Sequence, residues 1–157
     1  MCFPLLGKAQ SLQVCPQCPI STIAQAVAIA KKGDTIEVQK GTYPENNILL
    51  DKPLTLIGKD RPVINGQFKG SILKIQADSV TIKGFRLANV PFKATEEQAA
   101  ILLDKSKKFL IEDNIMDQVC FGIILFKGKD GQVKNNRISS NAKEHYNSGN
   151  AIHLWSC

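Results

Sequence analysis

Hydrophobic positions near the start of the chain have the spacing of an α-helix. Apolar side chains recur three or four residues apart, at Ile23, Ala26, Val27 and Ala30. This spacing places them on one face of a helix. Ser21 and Thr22 are both suitable N-cap residues, and Gly33 follows two lysines at the end of the segment. We therefore predict one short amphipathic helix over residues 22–31.

After this helix, apolar and polar residues alternate with a period of two. The clearest runs are TIEV at 35–38, LTLIG at 54–58 and VING at 63–66, and turn-forming residues interrupt the pattern every five to ten positions. Alternation in short runs between turns is typical of β-strands. The rest of the chain is therefore predicted to be all-β.

The strand pattern repeats along the chain. Residues 71–87 join the repeat after a shift of one residue, and Ile152 opens another copy 29 residues after Ile123, which predicts an inserted loop around residues 142–148. Residues 100–116 align with residues 122–138 at an offset of 22, which pairs Ile101 with Ile123, Leu103 with Leu125, Ile111 with Val133, Asn114 with Asn136 and Met116 with Ile138.

A repeat of this length, made of short strands without a helix, predicts one coil of a right-handed parallel β-helix. Leucine-rich repeats have a similar length, but their L-x-x-L-x-L pattern is absent. Coils stack about 4.8 Å apart and bury a continuous aliphatic core. We expect an all-β fold, a right-handed single-stranded parallel β-helix with a short N-terminal α-helical cap, and an inward asparagine pair, Asn114 above Asn136.

Three segments follow from this pattern. Residues 1–14 are expected to be a truncated signal-like or disordered segment, because the apolar run at 2–7 is shorter than the roughly 7–15 residues of a signal-peptide core. Residues 15–34 hold a cysteine pair and the capping helix, and residues 35–157 form about five coils of β-helix. Since the chain stops at Trp155-Ser156-Cys157, within a predicted strand, we expect an open C-terminal edge that further coils or a partner cover.

Composition and charge narrow the classes of function. Apolar residues make up 43% of the chain and aromatic residues only 6%, which fits an aliphatic core. The net charge is +6, but the basic residues are scattered, whereas nucleic-acid-binding proteins usually cluster them. No apolar run approaches the roughly 20 residues of a membrane-spanning helix. We therefore predict neither a nucleic-acid partner nor a membrane span.

Several segments resemble the NosD family, within the larger group of carbohydrate-binding and sugar-hydrolase-like β-helices. They are A-x-x-G-D-T-I-x-V at 30–38, G-T-Y-x-E-N at 41–46, D-K-P-L-T-L-I-G at 51–58 and A-D-x-V-T-I-x-G-F at 77–85. These segments are shared with pectinesterase-like β-helices. GNAIHLW at 149–155 is similar to the family's G-N-G-I-H-L-W, with Ala151 in place of a glycine. The resemblance covers residues 15–157 and indicates an N-terminal fragment of a family member.

This resemblance implies a function. NosD proteins are periplasmic accessory proteins that assist copper-site assembly in nitrous oxide reductase, alongside an ABC transporter. The chain is accordingly expected to be exported to the periplasm, to handle copper, to have the reductase and the transporter as partners, and not to be an enzyme. The alternative is a secreted β-helix that binds or cleaves acidic glycans, as pectinesterases and polysaccharide lyases do. The resemblance supplies no catalytic residues.

Two of the five cysteines form a C-x-x-C pair, Cys15 and Cys18. A second such pair, which a zinc site would need, is missing, and Pro19 and Ile20 separate the pair from the helix, unlike in a thioredoxin-like site. The spacing leaves three alternatives: a disulfide formed in an oxidising compartment, two free thiols, or a metal or redox pair. We favour the disulfide.

Candidate ligand-binding residues lie near the C-terminal end. The repeat register places His153 and Trp155 on the outward face of a strand, next to the inserted loop with His145 and Tyr146. His153, His145 and Cys157 lie within thirteen positions and have side chains that bind copper. Trp155 and Tyr146 are candidates for stacking against a sugar ring. Alternatively, His153 hydrogen-bonds a neighbouring loop and Trp155 covers apolar surface.

Paired carboxylates of the kind that glycosidases use are not predicted. Asp113 shares its row with Asn135, Asp104 shares its row with Phe126, and Asp78 is expected to stabilise a turn. An enzyme is therefore disfavoured for this segment.

Charged residues also align between coils. Lys105, Lys107 and Lys108 fall opposite Lys127, Lys129 and Asp130. This row predicts a basic ridge that grips an acidic polysaccharide or partner, or one that is simply solvated and protects the edge. Glu112 opposite Lys134 is a favourable cross-strand pair.

Overall fold

The computed structural model describes residues 9–92, 96–140, 149 and 151–157. Within these residues the chain forms sixteen short strands and one helix. In chain order they are β1 (Ser11–Val14), α1 (Ile23–Ile29), β2 (Thr35–Val38), β3 (Thr42–Tyr43), β4 (Ile48–Leu50), β5 (Thr55–Gly58), β6 (Val63–Asn65), β7 (Leu73–Ile75), β8 (Thr81–Lys83), β9 (Arg86–Ala88), β10 (Ala99–Asp104), β11 (Leu110–Glu112), β12 (Ile115–Asp117), β13 (Phe121–Phe126), β14 (Gln132–Lys134), β15 (Arg137–Ile138) and β16 (Ile152–Trp155).

The strands form three parallel sheets that run the length of the molecule. Sheet 1 has the order β1-β2-β5-β8-β11-β14, sheet 2 the order β3-β6-β9-β12-β15, and sheet 3 the order β4-β7-β10-β13-β16. Each full coil therefore contributes one strand to each sheet and pairs with the coil before and after it. This arrangement is a parallel β-helix, which confirms the predicted fold class.

The register between coils is the one that the repeat predicts. Ile101 pairs with Ile123 and Leu103 with Leu125. The shifted copy also joins in place, because Leu73 pairs with Ile101 on the other side. The sequence repeat is thus the stacking repeat of the solenoid.

Stacked aliphatic side chains fill the interior. In sheet 1 a single row runs through Ile36, Leu56, Ile82 and Ile111, each 0% exposed. Burying one such side chain stabilises a fold by about 1.5–3 kcal/mol. One coil could not bury this row by itself, so the stacking of coils supplies the core.

Two asparagines stack at one bend as predicted, and the first of them is buried. Asn114 is 1% exposed, and its Nδ2 donates to Asn136 Oδ1 at 3.0 Å. Its Oδ1 accepts a hydrogen bond from the backbone N–H of Phe85 at 3.0 Å, and its Nδ2 also donates to the Ile82 carbonyl at 3.1 Å. The pair therefore satisfies backbone groups of neighbouring coils that would otherwise be buried without partners.

Helix α1 lies over the first coil and packs against β1, β2 and β4. Thr22 is its N-cap and forms a capping box with Gln25. The Glu45 carboxylate, from the first coil, accepts hydrogen bonds from the backbone N–H groups of Ile23 at 2.7 Å and Ala24 at 2.9 Å. The first coil thus holds the start of the helix that covers it.

Strand β1 is an element that the sequence pattern missed, within the segment 1–14 that was expected to be signal-like or disordered. It pairs in parallel with β2 and is the first strand of sheet 1. The Asp34 carboxylate anchors it, accepting from the backbone N–H groups of Gln10 at 2.8 Å and Lys31 at 2.7 Å. These two hydrogen bonds hold the pKa of the Asp34 carboxyl below its usual value.

No helix in the described part of the chain is long and apolar enough to span a membrane.

At the other end, β16 is the last strand of sheet 3. Ile152 and Leu154 continue the inward rows of Ile123 and Leu125. They are nevertheless 42% and 60% exposed, because no described strand stacks on their free side.

Candidate functional site

His153 and Trp155 lie on the outward face of sheet 3. The parallel pairing of β13 with β16 places His153 beside Ile124 and Trp155 beside Phe126. Since neighbouring side chains along a strand point to opposite faces, both candidates face away from the aliphatic interior. This is the orientation that the repeat register predicts.

The two side chains belong to an aromatic cluster formed by Phe121, Phe126, His153 and Trp155. The His153 ring lies 5.0 Å from the Trp155 ring and 5.7 Å from the Phe121 ring, measured between centroids. The Phe121 contact is edge-to-face at 85°, whereas Trp155 stacks on Phe126 with centroids 6.2 Å apart and planes 13° apart. Such geometries contribute about 0.5–1.5 kcal/mol per pair beyond simple burial. The contacts hold the His153 imidazole between two rings.

Beneath the cluster lies a second, smaller apolar core. Ile124 is only 1% exposed although it faces outward, and it packs with Ala99, Cys120 and Phe121. Phe121 was missed at the sequence level, because strict alternation from the inward Ile123 assigns it to the main core. The sequence signal that could have indicated this is the neighbouring glycine, Gly122. In the structure a Cβ on Gly122 would lie 2.6 Å from the Ala151 carbonyl oxygen, so the coils approach each other closely at this point.

Cys120 is part of this second core and is 2% exposed. Burial raises the pKa of its thiol. The thiol is therefore protonated at neutral pH and poorly suited to bind a metal ion or attack a substrate.

The predicted copper ligands are only partly within the described residues. Cys157 is exposed, and its Sγ lies 3.5 Å from the Leu125 carbonyl oxygen. His145 and Tyr146 fall outside the described residues. Within the residues that are described, no three His, Cys, Asp or Glu side chains come together as a metal site. A copper site at His153, His145 and Cys157 stays a prediction, as does sugar stacking by Trp155 and Tyr146.

Cys15 and Cys18 are joined by a disulfide, with an S–S distance of 2.10 Å and their Cα atoms 5.0 Å apart. The bridge closes the turn between β1 and α1. Of the three alternatives that the spacing left open, the structure contains the disulfide.

The acidic residues of sheet 1 and the turn after it are held by basic neighbours. Glu112 lies between Lys83, at 3.0 Å, and Lys134, at 3.4 Å. The hydrogen bonds from Lys83 and Lys134 lower the pKa of its carboxyl. Asp113 pairs with Arg61 at 2.6 Å, across two coils. These carboxylates serve the solenoid's own ion pairs.

Two further acids have the same structural character. Asp117 pairs with Arg86 at 2.8 Å. Asp78 accepts a hydrogen bond from the backbone N–H of Lys107 at 2.8 Å, which confirms its predicted role in a turn.

Five exposed lysines occupy two stacked turns between sheets 3 and 1; we name this surface the basic ridge. Lys107 and Lys129 form a parallel bridge between the turns. Lys105 and Lys108 complete the first turn and Lys127 the second, and all five side chains are exposed.

Comparison with known proteins identifies a relative. The chain is 32% identical over 111 residues to a Pseudomonas aeruginosa protein described as "Probable ABC transporter binding protein NosD". The match covers 69% of this chain and 26% of the relative, so the chain spans about a quarter of the relative's length. No family model matches the chain, and no solved structure matches it significantly. The sequence match and the stack of parallel coils together identify the chain as a NosD-like parallel β-helix.

Proposed function

We propose that this chain acts as a periplasmic accessory protein that assists copper-site assembly in nitrous oxide reductase, alongside an ABC transporter. The observation that supports the proposal most directly is the 32% identity to a protein named as a NosD and an ABC transporter binding protein. The parallel β-helix fits an accessory role, because a solenoid offers an extended surface to its partners.

The contacts of the acidic residues favour an accessory role over an enzyme. Glycoside hydrolysis needs two carboxyl groups that face the substrate in defined protonation states. Glu112, Asp113 and Asp117 are instead paired with basic side chains of neighbouring coils. We therefore assign no catalytic residue in the described part of the chain.

Copper is proposed as the cargo, with His153 as a contact. Imidazole and thiolate are ligands that copper binds well. His153 is held between Phe121 and Trp155, and Cys157 follows two residues after Trp155 at an exposed position. His145 completes the proposed set.

The assembly role is tested by deleting the gene in its host and purifying the reductase. We expect a reductase that is made at normal levels but contains less copper and reduces less nitrous oxide. The copper content of an unrelated periplasmic copper protein from the same cells is the control. A fully loaded, active reductase in the deletion strain would exclude the role. Cleavage of a uronic-acid polymer by the purified protein would instead support the glycan-active alternative.

Copper binding is tested separately by Cu(I) titration of the purified chain against a competing chelator. His153→Ala is expected to weaken binding about tenfold or more. Cys15→Ser/Cys18→Ser is the control and should leave the affinity unchanged, because both sulfur atoms are in the disulfide. Equal affinities for wild type and His153→Ala would remove His153 from the site, whatever the deletion strain shows.

A further inference from the structure

Several outward charges of sheets 1 and 2 are matched between coils. Glu112 is flanked by Lys83 and Lys134, and Arg86 faces Asp117. Lys59 similarly pairs with Glu37 at 3.5 Å. Because the coils stack in register, a charge on one coil lies beside the equivalent position on the next. These rows place opposite charges in contact.

The basic ridge differs from these rows, because it places like charges next to each other. Lys107 and Lys129 are paired directly between coils, and like charges in such a position are destabilising. None of the five ridge lysines takes part in an ion pair with another described residue. Asp78, the nearest acid of the preceding coil, is hydrogen-bonded to the Lys107 backbone N–H instead.

We propose that the basic ridge is a docking surface for an acidic segment of a partner protein. The ridge holds five lysines on two coils, and its two turns include two acids, Asp104 and Asp130. A carboxylate-rich segment laid along it would supply the counter-charges that the fold does not. Alternate side chains of an extended segment lie about 6.8 Å apart and coils about 4.8 Å apart, a mismatch that long lysine side chains can absorb.

The aromatic cluster beside the ridge argues against an acidic sugar as the ligand. A sugar binds aromatic side chains through an open ring face. Trp155 and Phe126 stack on each other with planes 13° apart, so each ring has one face turned to the other.

The test is the affinity of the full chain for a fluorescent peptide of roughly eight glutamates, an extended length of about 27 Å. At about 50 mM salt, Lys107→Gln/Lys129→Gln should weaken binding about tenfold. Lys105→Gln/Lys127→Gln is a second ridge variant, should the first fail to fold by circular dichroism. Lys32→Gln/Lys40→Gln removes the same charge at exposed positions away from the ridge and should change affinity by less than about twofold.

Three outcomes would overturn the proposal. Equal losses in the ridge and control variants would mean that the peptide senses only the overall charge. Tighter binding to an oligogalacturonate than to the glutamate peptide would identify a glycan surface. Tighter binding to vesicles containing anionic lipid would identify a membrane surface. Each result is independent of copper assembly, because the assay contains neither copper nor the reductase.

Discussion

Asn114→Ala is expected to destabilise the solenoid strongly, because this side chain links three coils. It contacts the Phe85 N–H and the Ile82 carbonyl in the preceding coil and Asn136 in the following one. It is also almost fully buried, at 1% exposure. Water therefore cannot replace the lost hydrogen bonds.

The magnitude follows from the groups left behind. Alanine removes the acceptor of the Phe85 N–H and a donor to the Ile82 carbonyl. A buried polar group that loses its partner costs about 1–3 kcal/mol, so the free energy of unfolding should fall by about 2–4 kcal/mol. Asn136 is itself half-buried, so water can enter the space that its side chain leaves, and Asn136→Ala should cost only about 1 kcal/mol.

Equilibrium urea unfolding followed by circular dichroism measures both changes. The midpoint should shift at constant m-value, and Tm should fall by about 5–15 °C for Asn114→Ala. Asn46→Ala is the matched control: Asn46 accepts a hydrogen bond from Asn47 at the surface, and its removal should cost less than about 0.5 kcal/mol. An Asn114→Ala variant as stable as the control would refute the reasoning. So would an Asn114→Leu variant more stable than wild type, since it would show that the hydrogen bonds are dispensable.

Three further predictions concern backbone strain at two glycines, the like charges stacked in the basic ridge, and the hydrogen-bonded carboxylate of Asp34. Gly84→Ala should lower the free energy of unfolding by about 3 kcal/mol and Gly33→Ala by about 1 kcal/mol. Both glycines have a positive φ, +82° and +89° respectively. Of the two, only Gly84 would place the new Cβ against a backbone oxygen, at 2.6 Å. Equal losses in urea unfolding would contradict this. Lys129→Glu should raise stability by about 0.5 kcal/mol at low salt by converting the like-charge contact of the basic ridge into an ion pair, and the gain should vanish at about 1 M NaCl. The lowered pKa of Asp34 stabilises the fold above the ordinary carboxyl pKa of about 4, and this stabilisation is lost as the pH falls through the lowered value. Asp34→Asn should therefore be less stable than wild type at pH 7 and lose less stability on acidification. The same loss of stability between pH 7 and low pH in both proteins would count against this explanation.

The fold was predictable because stacking forces equivalent residues into rows. Ile101 and Ile123 could be aligned by sequence alone, and they pair in the structure. The same holds for Asn114 and Asn136. In a solenoid the sequence repeat and the spatial repeat are the same, so one alignment fixes many contacts.

Strand β1 was not predictable by this reasoning. Its sequence, SLQV, contains only two apolar residues and precedes the first recognisable repeat. Its strand conformation depends on pairing with β2 and on the Asp34 carboxylate, which accepts from the Gln10 N–H. Both partners are distant in sequence, so the local pattern of apolar and polar residues does not reveal the strand.

For the candidate site, the sequence pattern predicted the face on which the side chains lie but not the residues that they contact. Alternation along the strand placed His153 and Trp155 outward. It could not show that Phe121 packs edge-to-face on His153. Strict alternation along β13 would point Phe121 inward, but beyond Gly122 the strand does not follow that alternation. The three-dimensional path of the turn before β13 decides that contact.

The position of the aromatic cluster links the stability of the last coil to the geometry of the proposed copper contact. Each coil of a solenoid is stabilised by its immediate neighbours, and β16 pairs with β13 alone among the described strands. The inward residues Ile152 and Leu154 are 42% and 60% exposed, so they pack less completely than the inward residues of the inner coils. The outward contacts, Trp155 on Phe126 and His153 on Phe121, therefore supply a large share of the packing that fixes β16. It follows that Phe121 positions the His153 imidazole directly and that Phe126 does so through Trp155. At the proposed copper contact, substitution of either phenylalanine is therefore expected to weaken binding by moving His153 rather than by removing a ligand.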